Sequence, residues 1–258
     1  MTATFSKTAG GDQIGQPLYE AAGLAWLREG GARVPDVISV DPRRLVTTVV
    51  PPGYPSEAAA RDFGRHLAFL HASGAPHYGC PPPNYTGEGW MGRARLPFCP
   101  APLPWGQFYS HYRIRPYLGR TFTSREKALI TRLCETLESG DLDHPEPALV
   151  READQGAARI HGDLWNGNVL WSPDGAVLID PAAQGGHAEE DLATLHTFGA
   201  PYLDSIIEGY QSVSPLAPGW EQRTGLHQLH ILMVHCYLFG RGYVPETLSI
   251  VTDIVENP

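Results

Sequence analysis

The chain has 258 residues, of which 42% are hydrophobic and 18% are charged, and its formal net charge is −9. A chain of this length and composition can bury a core, and its negative charge argues against a nucleic-acid surface. It contains neither an apolar run long enough to span a membrane nor an apolar signal-peptide core at its start, so we expect no contact with a membrane.

The first fifty residues predict a strand, a helix and two further strands. Pro17 can open the helix and Gly30 can close it, the usual placement of these residue types at helix ends. Two β-branched runs follow, joined by a turn at residues 41–44, and the Pro-Pro-Gly sequence at 51–53 is typical of a linker. The predicted strands cover residues 2–8, 37–40 and 45–50.

Beyond the linker, the sequence predicts a mainly helical region. Ser56 can cap a helix whose apolar residues recur at helical spacing, and Gly74 can end it. Residues 75–104 are rich in proline and glycine, which predicts an irregular excursion. Further helices are predicted over residues 105–118, 124–138, 188–198, 201–211, 219–241 and 246–255.

A short polar loop interrupts the helical region. It reads HGDLWNGN over residues 161–168 and follows the H-x-D-x-x-x-x-N pattern of kinase-type catalytic loops. In such loops the aspartate receives the acceptor hydroxyl, the asparagine holds a metal ion, and an aspartate after the next strand holds the metals that bridge the phosphates. Asp163, Asn168 and Asp180 occupy these three places in this order.

The turn between Asn168 and Asp180 explains how these two residues can meet. The Ser-Pro-Asp-Gly sequence at 172–175 places proline where its φ is preset for a turn and glycine where φ can be positive. The turn folds residues 169–171 against 176–179, which brings Asn168 and Asp180 to one end of a hairpin. A carboxylate and an amide oxygen are hard ligands, and together with nucleotide phosphates they make a sufficient Mg²⁺ site.

The order of these elements resembles the protein-kinase-like fold, and the glycine before Asp163 is similar to the aminoglycoside-phosphotransferase branch of that fold. Within this branch, several motifs resemble the fructosamine/ketosamine kinase family. They are Asp-Leu-Trp-x-Gly-Asn at 163–168, Ile-Asp-Pro-Ala at 179–182 and Gly-His-Ala-Glu-Glu-Asp-Leu-Ala at 186–193, together with the stretches at 84–87, 105–109 and 217–221. The similarity runs from Lys7 to about Gly240.

The resemblance implies an α+β protein with two lobes. Residues 1–50 would form a small, truncated, β-rich nucleotide-binding lobe, and residues 51–258 a larger helical lobe with the catalytic loop and the acceptor site. Lys7 matches the strand lysine that reaches the nucleotide phosphates, and Glu20 matches the helix glutamate that holds this lysine. The adenine of ATP would lie against the Thr48 carbonyl and the Val50 N–H, because Pro51 has no N–H to offer.

Other residues are candidates for the acceptor side or for support of the loop. Trp165 could stack on the sugar or its amine, or it could plug the loop against the helical lobe. Trp220, His230 and His235 lie on late helices that would face the acceptor, with core packing as the alternative role. The residues expected to support the catalytic loop through hydrogen bonds are His161, His187 and Asp191.

The strand that carries Lys7 is the first predicted element, whereas the family begins with two strands joined by a loop that covers the nucleotide phosphates. Two explanations are open: the sequence starts inside a longer reading frame, or the natural protein lacks the loop. Backbone N–H groups of such a loop bind phosphate and stabilise its charge. We therefore expect weak ATP binding and slow turnover from this form, and a sharp rise in kcat/KM when upstream residues are restored.

The activity implied by the resemblance is transfer of the ATP γ-phosphate, with Mg²⁺, to a sugar hydroxyl of a free or protein-bound ketoamine of the fructosamine or ribulosamine type. Two alternatives stay open. One is another small-molecule kinase that acts on an aminoglycoside or choline, and the other is a catalytically weak nucleotide-binding scaffold.

We also expect a cytoplasmic monomer. Its thiols should be reduced, because the four cysteines lie far apart and lack a C-x-x-C pair.

Overall fold

The computed structural model describes residues 3–256 and places a three-stranded antiparallel sheet at the start of the chain. Its strands are β1 (Thr4–Thr8), β2 (Val37–Asp41) and β3 (Arg44–Thr48), with β3 in the middle, and helix α1 (Gln16–Glu29) connects β1 to β2. The predicted order of strand, helix, strand, strand is therefore confirmed. Thr2, where the first predicted strand begins, lies outside the described residues.

Local sequence explains where these elements begin and end. Pro17 stands in the first turn of α1, where its missing N–H costs no hydrogen bond, and Gly30 follows the last turn. The Asp41 carboxylate accepts the backbone N–H groups of Arg43 at 2.8 Å and Arg44 at 3.0 Å. These two bonds close the tight turn between β2 and β3.

The remainder of the described chain is mainly helical, with three short antiparallel strand pairs. The helices are α2 (Glu57–Ala72), α3 (Trp105–Tyr109), α4 (Ser124–Ser139), α5 (Ala148–Ala153), α6 (Ala188–Thr197), α7 (Leu203–Gln211), α8 (Trp220–Phe239) and α9 (Val244–Glu256). The strands are β4 (Gly89–Met91), β5 (Ala94–Leu96), β6 (Ala158–Ile160), β7 (Val169–Ser172), β8 (Gly175–Leu178) and β9 (Gln184–Gly186), paired as β4–β5, β6–β9 and β7–β8. Helices α2, α4, α6, α7, α8 and α9 confirm the predicted ones to within a few residues.

The structure departs from the prediction in the stretch between α2 and α4. Residues 75–104, predicted to be irregular, contain the β4–β5 hairpin, and the helix predicted over 105–118 is broken into three pieces. After α3 the chain forms a π-helical turn at Ser110–Ile114 and a 3₁₀ turn at Arg115–Tyr117. Pro116 explains the break, because it has no N–H and its ring clashes with the preceding helical turn. The wide turn also aims Arg113 inward, where it is fully buried and hydrogen-bonded to Gln184.

Helices α2 and α7 cross at a pair of glycines. A Cβ atom on Gly64 would lie 1.9 Å from the carbonyl oxygen of Ile206, and one on Gly209 would lie 2.0 Å from that of Arg61. Both obstacles are backbone atoms, so no side-chain movement could relieve them. The two helices therefore approach so closely only because neither position carries a side chain.

Two clusters of buried apolar side chains form the core of the helical region. One gathers residues from α3, α4, α8 and α9, among them Phe108, Leu133 and Leu232. The other joins α1, α2, α6 and α7 to the β7–β8 hairpin and includes Leu164 and Leu178. Because Leu164 follows Asp163 directly, the second cluster packs against the catalytic loop itself.

The four cysteines lie in the interior of the described residues. Cys80, Cys99, Cys134 and Cys236 are all buried and unpaired. Within residues 3–256, no helix combines the length and the apolar character that crossing a bilayer demands.

Candidate active site

The β7–β8 hairpin brings Asn168 and Asp180 to the same end, as the turn sequence predicts. Val169 pairs with Leu178, and the N–H of Ile179 donates to the carbonyl oxygen of Asn168 at 3.1 Å. Asp180 comes next and has a φ of 52°, in the left-handed region that aspartate tolerates better than most residues. This conformation turns the chain out of the strand and leaves the carboxylate at the open end of the hairpin.

Asp163 and Asn168 are linked within the loop. The Asn168 amide nitrogen donates to the Asp163 carbonyl oxygen at 2.8 Å and to its carboxylate at 3.2 Å. Burial and, to a smaller extent, the nearby Asp180 carboxylate raise the pKa of Asp163 to about 7, although the hydrogen bond from Asn168 lowers it. The bonds through the amide nitrogen leave the Asn168 Oδ1 as the atom that can bind a metal ion.

Lys7 connects the N-terminal sheet to this site. Its ammonium group lies 2.7 Å from a Glu20 carboxylate oxygen and 3.1 Å from Asp180 Oδ2. Burial lowers the pKa of Lys7, but the two carboxylates outweigh this effect and leave the pKa above its usual value. The predicted pairing of strand lysine with helix glutamate is therefore present in the structure, and the lysine stays charged beside Asp180.

Asp191 on α6 holds the backbone of the catalytic loop. Its two carboxylate oxygens accept the N–H groups of His161 at 2.7 Å and Gly162 at 2.9 Å. The His71 ring, on α2, lies 3.1 Å from the same carboxylate and was not singled out from the sequence. Burial would raise the pKa of Asp191, but the hydrogen bonds and charges of His71 and His161 hold it below its usual value. The His161 ring also contacts the carbonyl oxygen of Ile179 at 2.9 Å, which ties the loop to the hairpin.

His187 has a different position from the one expected. Its ring accepts the N–H of Glu189 at 3.2 Å and so caps α6, and it lies 3.6 Å from a Glu146 carboxylate oxygen. Within residues 3–256, its side-chain hydrogen bonds do not reach the loop at 161–168. The expected support of the loop by His187 is therefore wrong, because the ring faces the start of α6 rather than the loop.

A cleft with about 680 Å³ of empty space lies between the N-terminal sheet and the hairpin. Its polar wall includes Lys7, Glu20 and Asp180, and its apolar walls come from β1, α1, β3 and the β7–β8 hairpin. Thr48 and Val50 both line it, at the end of β3 where the adenine was expected. The N–H of Val49 between them donates to Ala3, whereas that of Val50 has no partner among the described residues.

A second space of about 600 Å³ adjoins the first and contains the three loop and hairpin residues Asp163, Asn168 and Asp180. Lys7, Glu20 and Asp180 line both spaces, so the two share one wall. Trp165 lines the second space, with 41% of its surface exposed. Three residues that the sequence reasoning missed line it as well, namely Gln16, Tyr19 and Trp90.

The residues predicted on the late helices lie further from this space. Trp220 packs with Leu192 and Thr224 in a separate small cavity. His230 is buried beside Tyr117, with ring centroids 5.9 Å apart. These positions suit the core-packing alternative.

His235 reaches the site only through a neighbour. Its ring lies 5.0 Å from that of Phe198, which in turn lies 6.1 Å from Trp165. His235 therefore supports the wall on which Trp165 rests.

Comparison with protein families places the chain among kinases. Residues 3–257 match the family model for fructosamine kinase. The chain is 32% identical over 202 residues to a probable ketoamine kinase of Vibrio vulnificus, an alignment that covers 75% of this chain and 62% of the relative. The chain therefore spans about three fifths of the length of that curated relative.

Solved structures show the same fold. A structure from Thermobifida fusca that bears the name fructosamine-3-kinase is 40% identical, with a TM-score of 0.85, and covers 99% of this chain and 86% of its own. A choline kinase from Streptococcus pneumoniae has a TM-score of 0.60 at 14% identity, with 98% and 86% of the two chains covered, and shows a likeness of fold alone. The α+β, protein-kinase-like fold predicted from the sequence is confirmed.

Proposed function

The chain belongs to the fructosamine kinase family, and from this premise we propose that it transfers the γ-phosphate of ATP to a sugar hydroxyl of a ketoamine. The observation that carries the proposal is the convergence of Asp163, Asn168 and Asp180 on one space that Lys7 also lines. We further propose that residues up to about 50 form the nucleotide-binding lobe. The rest of the chain then carries the catalytic loop and the acceptor side.

The donor set fits a magnesium–nucleotide complex. Asp180 offers a carboxylate and Asn168 an amide oxygen, both hard ligands that Mg²⁺ accepts alongside phosphate oxygens and water. The Lys7 ammonium stands beside Asp180, where it can bind a phosphate oxygen. When bound, Mg²⁺ would offset the charge that develops on the transferring phosphate.

Asp163 is the residue that would receive the acceptor hydroxyl. The hydrogen bonds from Asn168 fix the orientation of its carboxylate, and a pKa of about 7 lets it accept a proton near neutral pH. Since the transition state of phosphoryl transfer is loose, positioning of the hydroxyl contributes more than base strength. Asp191 helps to hold Asp163 in place, because its carboxylate accepts the backbone N–H groups of His161 and Gly162 just before it.

The acceptor would lie in the second space, next to Asp163. Trp165 is 41% exposed and gives this space an aromatic surface, on which the apolar face of a sugar or a cationic amine can pack, whereas Tyr19 and Trp90 are buried in its wall. Gln16 adds a polar side chain that can bind hydroxyl groups. These features support a sugar attached to an amine as the substrate class.

The test is an acceptor screen with Mg-ATP, comparing fructosamines and ribulosamines with aminoglycosides and choline. We expect phosphorylation of the ketoamines, loss of turnover in Asp163→Ala and retained turnover in Asp174→Ala, an exposed turn residue of the same hairpin. Preferential phosphorylation of choline or an aminoglycoside would show that this compound, and not a ketoamine, is the acceptor. ATP binding without turnover of any acceptor would favour the scaffold alternative. The predictions of a monomer and of a cytoplasmic location stay predictions.

A further inference from the structure

Three histidines and a glutamate from distant parts of the chain meet inside the helical region. His144 lies in the connection between α4 and α5, His187 caps α6, Glu189 follows in the first turn of α6, and His227 lies on α8. The three imidazole rings have centroids 4.5, 4.7 and 4.9 Å apart. All four residues lie outside the lining of the catalytic spaces described above.

The atoms at the centre of this cluster have the spacing of metal ligands. His144 Nε2 lies 2.8 Å from His227 Nε2, and Glu189 Oε2 lies 3.4 Å from His227 Nε2 and 3.9 Å from His144 Nε2. One ligand atom from each of the four residues falls within 4.8 Å of the others. In a tetrahedral zinc site with Zn–N bonds of about 2.0–2.1 Å, neighbouring ligand atoms are about 3.3 Å apart. The observed distances lie on both sides of this value.

We propose that His144, His187, His227 and Glu189 form a structural Zn²⁺ site. Three imidazoles and one carboxylate are ligands that zinc prefers, and four protein ligands complete a tetrahedral shell. Closed sites of this kind stabilise folds rather than activate water. The ion would pin together α6, α8 and the connection before α5.

The polar network of the cluster is incomplete without an ion. The Nε2 atom of His187 is buried and has no hydrogen-bond partner among the described residues. Buried polar atoms without partners are rare in folded proteins, because each loses its hydration without compensation. A metal ion on His187 Nε2 would satisfy this nitrogen and move the ring proton to Nδ1, which would then give up the 3.2 Å bond from the Glu189 N–H and donate instead to the Glu146 carboxylate, 3.6 Å away.

The surroundings orient the other ligands. His144 contacts the carbonyl oxygen of Leu142 through Nδ1 at 2.8 Å, which directs its Nε2 into the cluster. The Trp105 ring packs against His144 and His227 at 4.7 and 5.1 Å between centroids and shields one side.

Arg223 offers Glu189 a positive charge without any metal ion, so it is the argument for a cluster of side chains alone. Its guanidinium donates to both carboxylate oxygens of Glu189, at 2.7 and 3.1 Å. A carboxylate oxygen can accept more than one partner, so this pairing leaves Glu189 able to bind a cation. The arginine then plays the role of a residue that orients a ligand from outside the metal shell.

The test is metal analysis of the full chain, purified without an affinity tag that binds metals, stripped with a chelator and reloaded with ZnCl₂. We expect about one tightly held zinc per chain. At a hundredfold excess of free zinc over Kd, we expect the melting temperature to rise by about 5–10 °C. Reloading with Co²⁺ instead should give the visible absorption of tetrahedral cobalt, which reports on the ligand set without any mutation.

Variants separate this site from other zinc-binding positions. His144→Gln and His227→Gln should lose the zinc and the cobalt spectrum, whereas His66→Gln, a half-exposed histidine on α2, should keep both. Asp180→Asn should also keep both, which excludes zinc held at the catalytic residues. The proposal is overturned if the wild-type chain retains no zinc, if cobalt shows only an octahedral spectrum, or if His144→Gln retains as much zinc as the wild type.

Discussion

Lys7 Nζ lies 3.1 Å from Asp180 Oδ2, so a single ammonium group joins the first strand of the chain to the end of the catalytic hairpin. Glu20 on α1 holds the same ammonium group from the other side at 2.7 Å. The cleft lined by Thr48 and Val50 lies where these three charges meet. The sheet and the hairpin are therefore joined by residues that the proposed function also places against the nucleotide.

Replacing Lys7 tests its contact with the nucleotide. In Lys7→Met the apolar stem is kept and the charge is lost, so we expect kcat/KM for ATP to fall by about 100-fold or more, because one preorganised cationic donor is removed. Lys127→Met is the matched control, since Lys127 lies on α4 away from the cleft. Steady-state kinetics with varied ATP measures the effect. Unchanged kcat/KM in Lys7→Met would show that Lys7 does not contact the phosphates.

Asp180 combines a chemical role with an unusual backbone conformation, and two variants separate them. Asp180→Asn and Asp180→Ala should both lose turnover, because neither offers a carboxylate to the metal. Both variants lose the ion pair with Lys7, and alanine should lose about 1 kcal/mol or slightly more of stability beyond asparagine, because asparagine tolerates positive φ and alanine does not. Calorimetry should show Asp180→Ala melting about 2–4 °C below Asp180→Asn. Equal melting temperatures would argue against strain at this residue.

Removal of the Asp191 carboxylate should damage both stability and turnover. Asp191→Ala leaves the buried N–H groups of His161 and Gly162 without acceptors, and the His71 ring loses its Nε2 partner while it keeps the Tyr210 hydroxyl. The loss of these contacts should lower the free energy of unfolding by about 3–5 kcal/mol, so the melting temperature should fall by roughly 10 °C. Asp204→Ala, at an exposed position on α7, should change it little. A normal melting temperature in Asp191→Ala would show that the loop holds its shape unaided.

The Glu126–Arg241 pair predicts a pH-dependent contribution to stability. The Arg241 guanidinium binds both carboxylate oxygens of Glu126, at 2.8 and 3.1 Å, and with the backbone N–H of Thr123 it lowers the Glu126 pKa to about 2. Since the pKa of an unfolded glutamate is about 4.3, the stabilisation is present above that pH and is lost as the pH falls toward 2.

The matching variant is Glu126→Gln, which retains the capping box of α4 and removes only the charge. Its melting temperature should lie below that of the wild type at pH 7, and the difference between the two melting temperatures should narrow steadily between pH 5 and pH 3. Glu135→Gln, exposed on the same helix, is the control. A gap that stays constant over this range would show that the ion pair does not stabilise the fold.

Local patterns in the sequence predicted how the loop at 161–168 meets the hairpin that follows it, because this geometry is local. Asp163, Asn168 and Asp180 lie within one loop and one hairpin, and the turn at 172–175 decides how that hairpin closes. The Lys7–Glu20 pair followed from the strand-to-helix order and the family resemblance. These inferences needed no information about distant parts of the chain.

Several of the missed features depend on contacts between distant segments. His71 and Trp90 lie more than seventy residues before Asp163, and nothing near them in sequence marks them as neighbours of the site. The β6–β9 pair has only three residues in each strand, too few to produce an alternating pattern. His187 was misplaced because a motif gives the identity of a residue but not the direction of its side chain.

The crossing of α2 and α7 at Gly64 and Gly209 limits how this sequence can evolve. When two large side chains clash, one can shrink to make room for the other, but a glycine has nothing left to remove. If either glycine gained a methyl group, no smaller residue on the facing helix could make room for it. Helix α2 also carries His71, which supports Asp191. Substitutions at Gly64 or Gly209, although remote from the loop at 161–168, are therefore constrained together with it.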